Sequence, residues 1–175
     1  SNKYADWQLP QIEGMVEKLY EELIALNPDL WLTAAVWPIY RDKYGWGVSS
    51  AYDTYYQDPA AWLSGGYIDS VSPMIYSGNP NCDNPYFWTR DRWSTLVSDY
   101  QAISSGRYVI PGIGVKYCTA DDFAEIEARI EMARDKGTGG HAIFSYKSLL
   151  SEKYFDDLAD GPYTVPATVP DLSWH

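Results

Sequence analysis

The most constraining feature of this sequence is a regular alternation of helix-like and strand-like segments. Segment 9–26 places apolar residues at helical spacing, and the Asn27-Pro28-Asp29 turn ends it. Four apolar segments with the character of strands follow, each with a helical segment after it. The strand segments are 31–40, 70–76, 108–115 and 141–146. Strands joined by helices run parallel, because each helix carries the chain back across the sheet. The sequence therefore predicts an α/β fold with a parallel sheet.

The helical segments after the strands are predicted at 59–63, 89–103, 119–137 and 148–158. The third of them opens on Thr119-Ala120-Asp121-Asp122, which resembles a capping box with Asp in place of the usual Glu. Pro73 and Pro111 lie inside two of the strand segments, where a missing N–H argues against a central strand. Residues 1–161 form the predicted domain, and the Pro-rich tail 162–175 is predicted to lie on its surface without regular structure.

Charge and hydropathy exclude two classes of partner. The chain has 13 Lys and Arg against 24 Asp and Glu, and a formal net charge of -11 would repel a nucleic acid. No apolar run approaches the ~20 residues of a membrane span. The 16 Tyr and 8 Trp are a large excess for 175 residues, and they indicate an aromatic surface or cleft in addition to a core. These features favour an exported, soluble protein.

Three strand segments deliver an aromatic side chain near their carboxyl ends. These side chains are Trp37, Tyr76 and Tyr146. Parallel α/β folds bind ligands at this end of the sheet, and aromatic rings stack on the apolar C–H faces of sugars. Core packing is the alternative for each ring taken singly. Three rings at equivalent positions predict a glycan site.

Four further residues follow the strand ends closely and are candidates for binding sugar hydroxyls or a carboxylate. They are Arg41, Asn79, Trp88 and Lys116. Each could equally be a surface residue. Three of them lie in long segments that follow strands, Arg41 in 41–58 and both Asn79 and Trp88 in the stretch SGNPNCDNPYFW. Long loops on a rigid scaffold often carry function.

Four stretches of the sequence, in order and spacing, resemble one known family. They are AAVWPIYRDKYGWGVSSAYDTYYQDPAAWLSGGYIDSVSPMIY, GRYVIPGIGV, GTGGHAIFSY and GPYTVPATVP. They resemble the C-terminal half of the glycosyl-hydrolase-like family 10 proteins. That family consists of exported bacterial proteins, often lipoproteins, related to the divisome glycosyl hydrolase that cleaves peptide-free peptidoglycan strands. The resemblance implies a (β/α)8 TIM-type barrel of which this chain is the C-terminal half, strands five to eight. It also implies a secreted or periplasmic location, with a lipid anchor in some full-length forms.

The resemblance implies roles for the three rings but leaves the catalytic residues unknown. Tyr76 would lie beside the reacting sugar and hydrogen-bond it, with Trp37 and Tyr146 as the floor. The catalytic acids of the family belong to strand four, upstream of Ser1. The loop acids Asp42, Asp53, Asp83 and Asp91 are candidates for binding a sugar hydroxyl or for supplying a second carboxylate, and solvated loop charges are the alternative. Two functions stay open: a glycoside hydrolase acting on bacterial cell-wall or related glycans, or a non-catalytic, carbohydrate-binding or vestigial half-barrel.

Cysteine and histidine positions predict neither a metal site nor a cofactor. Cys82 and Cys118 follow adjacent strands and would reach the same face, so either a disulfide in an oxidising compartment or two free thiols is consistent with the sequence. His141 opens a strand at the far end of the sheet and His175 is terminal, so these side chains do not converge.

Half a barrel would leave two unpaired strand edges and an exposed apolar inner face. The sequence therefore predicts that the chain pairs edge to edge into a homodimer, or associates with the missing N-terminal half-barrel. Glycan is the other expected partner.

Overall fold

The computed structural model describes residues 3–76 and 87–174. The elements within these ranges are, in chain order, α1 (Lys3–Leu26), β1 (Thr33–Val36), α2 (Ala51–Tyr55), α3 (Pro59–Gly65), β2 (Ser70–Pro73), α4 (Arg90–Ala102), β3 (Tyr108–Val109), β4 (Gly112–Gly114), α5 (Asp122–Asp135), β5 (Ala142–Phe144), α6 (Tyr146–Glu152) and α7 (Phe155–Asp160). The fold is mixed α/β, as the alternation of segments predicts.

The strands pair in parallel, which confirms the predicted type of sheet. β1, β2 and β3 form a three-stranded parallel sheet in that order, and β4 and β5 form a two-stranded parallel sheet that continues from it along the chain. The predicted strand 108–115 is divided into β3 and β4 around Pro111, which has no N–H to give to a neighbouring strand. Hydrogen bonds nevertheless continue through the break, since the Ile110 N–H donates to the carbonyl of Val71 (2.8 Å) and the Ala142 N–H to that of Pro111 (3.1 Å).

The helices cover one face of the sheet with two groups of buried side chains. Val36, Val71 and Val109 point to the same face of β1, β2 and β3, where they pack with Trp62 of α3 and Tyr100 of α4. The second group surrounds β4 and joins it to α4 and α5; its largest members include Trp93, Leu96, Ile113, Ile126 and Ile130. Burial of these apolar surfaces holds the helices on the sheet.

The opposite face of β1 and β2 is built from small side chains. Thr33 lies beside Ser70 and Ala35 beside Ser72, and side chains alternate between faces along a strand, so these four share a face. Thr33 and Ala35 are exposed. The expectation of an apolar inner face is therefore wrong for these two strands, because their alternate positions hold Thr, Ala and Ser. Within the described residues, the outer edges of β1 and β5 have no strand partner.

The boundaries of α4 agree with the predicted helical segment 89–103 to within one residue at each end. Thr89 caps α4 and accepts a hydrogen bond from the Arg92 N–H, as segment 89–103 predicts. The predicted capping box before α5 forms in part. The carboxylate of Asp122 accepts from the Thr119 N–H (2.9 Å), which is the return bond of such a box. The N-cap, however, is Asp121, whose side chain accepts from the Ala124 N–H (3.0 Å).

Three other boundaries differ from the sequence prediction. Helix α1 begins at Lys3, ahead of the predicted 9–26, and runs through Pro10. The long segment 41–58 contains the short helix α2, and the predicted helix 148–158 is split into α6 and α7 where Lys153 has a φ of 62°.

The C-terminal tail packs at the amino-terminal end of the sheet. Asp69 precedes β2 and is fully buried, and the Trp174 indole N–H donates to its carboxylate (2.8 Å). The same carboxylate accepts from the Tyr20 hydroxyl (3.0 Å) and the Leu32 N–H (2.7 Å), and pairs with Arg107 at 3.2 Å. One buried carboxylate thus joins α1, the start of β1, the approach to β3 and the tail.

No helix within 3–76 and 87–174 combines the length and apolar character that crossing a bilayer requires.

Candidate functional site: an aromatic cleft at the carboxyl end of the sheet

A cleft of about 580 Å³ opens where β1 and β2 end. Trp37 directly follows β1, and Met74 and Tyr76 follow β2, so the parallel strands bring these side chains to one end of the sheet. The described residues that line the cleft are Trp37, Pro38, Gly47, Val48, Ser49, Met74, Tyr76, Phe87 and Trp88. The lining is therefore mainly apolar and rich in aromatic rings.

Trp37 is held by its backbone while its ring stays half-exposed. Its N–H donates to the side-chain oxygen of Gln57 (2.9 Å), and its carbonyl accepts from the hydroxyl of Tyr100 (2.6 Å). The ring centroid lies 4.3 Å from that of Tyr55, with the planes tilted by 41°. The indole is thus fixed against the sheet and can offer one surface to a ligand.

Tyr76 is supported from beneath by Phe144, the last residue of β5. Their rings stack with centroids 4.6 Å apart and planes 6° apart. Burial raises the pKa of the Tyr76 phenol above its ordinary value of 10.0. The hydroxyl therefore stays protonated at neutral pH and can donate a hydrogen bond to a ligand in the cleft.

Phe87 and Trp88 form an aromatic wall of the cleft, beside Trp37 and Tyr76. Their rings meet edge to face at 4.7 Å, and Trp88 is only 6% exposed. The backbone carbonyls of both residues accept hydrogen bonds from arginines, Phe87 from Arg92 at 3.2 Å and Trp88 from Arg129 at 2.8 Å. The wall is tied to α4 and α5 through these two bonds.

Residues 47–49 form another wall of the cleft, and the preceding aromatic residues Tyr44 and Trp46 anchor it. Trp46 stacks on Tyr44 at 4.3 Å, and both rings pack on the buried group around β4. The Tyr44 hydroxyl donates to Asp99 of α4 (2.6 Å). Gly47 has a φ of 70°, a left-handed conformation that favours glycine and turns the chain from Trp46 into the wall.

Of the sequence-predicted aromatic residues, Trp37, Tyr76 and Trp88 line the cleft and Tyr146 does not. Tyr146 begins α6, is 70% exposed, and contacts Phe155 with ring centroids 5.4 Å apart. The strand ends at Phe144, and Ser145 caps the helix, so Tyr146 no longer follows the alternation of β5. Phe144 is the residue of β5 that meets Tyr76.

The predicted polar residues lie elsewhere. The guanidinium carbon of Arg41 lies 3.4 Å from the ring centroid of Tyr52, and Lys116 pairs with Glu152 at 3.2 Å. Neither lines the cleft. Asn79 lies outside the described residues.

Met74 and Phe87 line the cleft but are not among the residues that the sequence predicts for the site. Phe87 lies next to the predicted Trp88, and Met74 lies two residues before the predicted Tyr76. The run of consecutive aromatic residues at 86–88 was the available indication for Phe87.

Among the described residues that line the cleft there is no carboxylate. Asp42 accepts from the N–H groups of Tyr44 and Gly45 in an exposed turn, and Asp53 accepts from the Ser50 hydroxyl at the start of α2 (2.8 Å). Asp91 lies in the first turn of α4, and Asp83 lies outside the described residues. The described cleft can therefore bind and orient a ligand, but it holds no pair of acids for hydrolysis.

Cys118 is disulfide-bonded. The other cysteine of the chain, Cys82, lies outside the described residues.

No group of three or more metal-ligating side chains is found in the described part of the chain. His141 precedes β5, and its ring nitrogen lies 2.6 Å from the Tyr163 hydroxyl; burial lowers the pKa of this histidine.

No protein-family model matches the chain, and no curated protein matches it by sequence. The resemblance to the glycosyl-hydrolase-like family 10 proteins stays a prediction from the motifs.

Proposed function

We propose that the aromatic cleft binds glycan and that this chain supplies the sugar-stacking part of the site. The support is the placement of half-exposed Trp37 and Tyr76 at one end of a parallel sheet, with Phe87 and Trp88 as a wall beside them. Pyranose rings have apolar C–H faces that pack on aromatic rings, and a protonated tyrosine hydroxyl can bind a sugar oxygen. Bacterial cell-wall glycan is the class of ligand that the family resemblance suggests.

The fold that we propose is the C-terminal half of a (β/α)8 barrel, strands five to eight. Its support is that β1, β2, the β3–β4 path and β5 succeed one another in chain order, all parallel, with helices on one face. The two outer edges, without strand partners among the described residues, agree with an incomplete barrel.

A glycosidase needs two carboxyl groups beside the bond it cleaves, roughly 5 to 9.5 Å apart. Because the described lining has none, we propose that this chain binds glycan without hydrolysing it alone. The second candidate is a glycoside hydrolase in which another half-barrel supplies the acids. The exposed ring of Phe144 and the unpaired edges of β1 and β5, within the described ranges, favour such a partner. That partner would be a second copy of the chain or an N-terminal half-barrel.

An exported location, secreted, periplasmic or lipid-anchored, belongs to the same proposal. The disulfide at Cys118 supports it, since disulfides persist mainly in oxidising compartments.

Binding is tested by titrating the chain with the N-acetylglucosamine tetramer and following tryptophan fluorescence and heat. We expect Trp37→Ala to weaken binding about tenfold or more, equivalent to roughly 1.4 kcal/mol. The matched control is Trp31→Ala, because the Trp31 ring stacks on Tyr108 (5.4 Å), which opens β3 at the other end of the sheet. Absence of binding by the unaltered chain would refute the glycan site. Release of reducing ends from peptidoglycan strands by the chain alone would refute the non-catalytic form of the proposal.

A further inference from the structure

Two arginines from two different helices bind consecutive backbone carbonyls behind the aromatic wall. Arg92 of α4 donates to the carbonyl of Phe87 (3.2 Å), and Arg129 of α5 donates to that of Trp88 (2.8 Å). Hydrogen bonds from a charged donor are about twice as strong as those between neutral groups. The backbone of this wall is therefore fixed at two adjacent points.

Arg92 also contacts the ring of Phe87 in one wall of the cleft and the ring of Trp46, the residue just before the wall at 47–49. Its guanidinium carbon lies 4.2 Å from the ring centroid of Phe87 and 4.8 Å from that of Trp46. Both distances are within the range of a cation–π interaction. Because Trp46 leads directly into the wall at 47–49, one guanidinium group links the two sides of the cleft.

Arg129 is held in place by its own surroundings. It is 1% exposed, and it donates to the Glu125 backbone carbonyl (2.9 Å) and carboxylate (2.6 Å). Its guanidinium carbon lies 4.0 Å from the ring centroid of Tyr117. A buried cation with a paired carboxylate keeps one geometry, so the bond to Trp88 starts from a fixed donor.

We infer that Arg92 and Arg129 are positioning residues that pre-organise the Phe87–Trp88 wall for its ligand. The inference rests on the proposed glycan site. A ring that is already immobile in the free protein loses less conformational freedom when it binds, and this raises affinity without adding a contact to the ligand. Neither arginine lines the cleft itself.

The test uses Arg92, which is half-buried, in the 175-residue chain. Arg92→Met keeps the length of the side chain but removes its charge and donors, and Arg92→Lys keeps the charge and one donor group. We expect Arg92→Met to weaken binding of the N-acetylglucosamine tetramer about three- to tenfold, and Arg92→Lys to restore part of the loss. Trp88, labelled as 5-fluorotryptophan and assigned with Trp88→Phe, should give a broadened or split fluorine resonance in Arg92→Met without ligand.

The control is Arg134→Met, since Arg134 also donates to a backbone carbonyl, that of Pro162, but outside the cleft. It should leave both the Trp88 resonance and the affinity unchanged. If the unaltered chain binds the tetramer, and Arg92→Met binds equally well with an unchanged Trp88 resonance, the positioning role is wrong while the glycan site stands. If the unaltered chain does not bind, the glycan site is wrong, and the ligand-free resonance still decides whether Arg92 orders the wall.

Discussion

The ring of Tyr76 lies directly over Gly112. A Cβ atom added to Gly112 would be 2.5 Å from Cε1 of the tyrosine and 2.6 Å from Cδ1, closer than real atoms approach. Phe144 also contacts this ring, with the ring centroids 4.6 Å apart. The absence of a side chain on Gly112 therefore leaves the space that the Tyr76 ring occupies at the edge of the cleft.

Gly112→Ala should destabilise the protein and weaken glycan binding together. The methyl group forces the Tyr76 ring away, and over-packing of this kind costs about 1–3 kcal/mol. Urea unfolding measures the first effect and titration with the tetramer the second. Gly14→Ala is the matched control: nothing lies within 4 Å of its added Cβ, and alanine favours a helix such as α1 by up to about 1 kcal/mol. A neutral Gly112→Ala would show that the ring does not occupy this position.

Trp174→Phe should lower the free energy of unfolding by about 1–3 kcal/mol, because the fully buried carboxylate of Asp69 loses a hydrogen-bond donor. Chemical denaturation followed by circular dichroism measures the change. Val169→Ala, in the same tail and 77% exposed, should shift stability by less than about 0.5 kcal/mol. Equal effects of the two substitutions would contradict the anchoring of the tail at Asp69.

Stability should fall in alkaline solution as buried tyrosines ionise in the unfolded chain. Burial raises the pKa of Tyr40 to about 12, from the ordinary 10.0, and its hydroxyl donates to Asp58 (2.7 Å). Burial also raises the pKa of Tyr100. Because the folded-state values are the higher ones, the contribution of Tyr40 is complete below about pH 10 and is lost as the pH rises toward about 12. Urea unfolding at pH 8, 10 and 11 should show a shallower decline for Tyr40→Phe than for the unaltered chain.

The ion pairs of Glu125 should make a contribution to stability that acid removes. Burial alone would raise the pKa of Glu125, but hydrogen bonds from Arg90 and Arg129 outweigh it and lower the pKa below 4.5. A lowered folded-state pKa means that the contribution is present above about pH 4.5 and disappears as the pH falls through the folded value. The difference in unfolding free energy between the unaltered chain and Glu125→Gln should therefore be largest near pH 7 and shrink below pH 4.5.

The control for this pair is Glu131→Gln. Glu131 pairs with Arg134 at 2.6 Å, but both side chains are about half exposed, and such surface pairs contribute about 0–1 kcal/mol. A Glu125→Gln effect that is as small as the control, or independent of pH, would contradict the assignment.

The sequence predicted the parallel sheet because the relevant information is local. Alternating periodicities identify helices and strands, and a cap such as Thr89 marks where α4 begins. Where two local preferences compete, the prediction was less exact. Asp121 and Thr119 are both good N-caps, and only the structure distinguishes them. Pro111 divided a strand that hydrophobicity alone describes as continuous.

The candidate site was predictable where it depends on strand ends and not where it depends on contacts between helices. Trp37 and Tyr76 follow from the position of the strands. The apolar segment 141–146 points to Tyr146, but β5 ends two residues earlier, at Phe144, and it is Phe144 that contacts Tyr76. The roles of Arg92 and Arg129 arise only from the packing of α4 and α5 behind the wall.

The tail anchored at Asp69 has a practical consequence for presenting the protein on a solid support. Asp69 directly precedes β2 and Tyr76 follows it, so the two residues lie beyond opposite ends of this strand. A biotin or affinity tag joined after the tail would emerge next to Trp174, on the side of the molecule away from the rings of the cleft. A sensor chip loaded through that tag would leave the cleft facing the flowing sample.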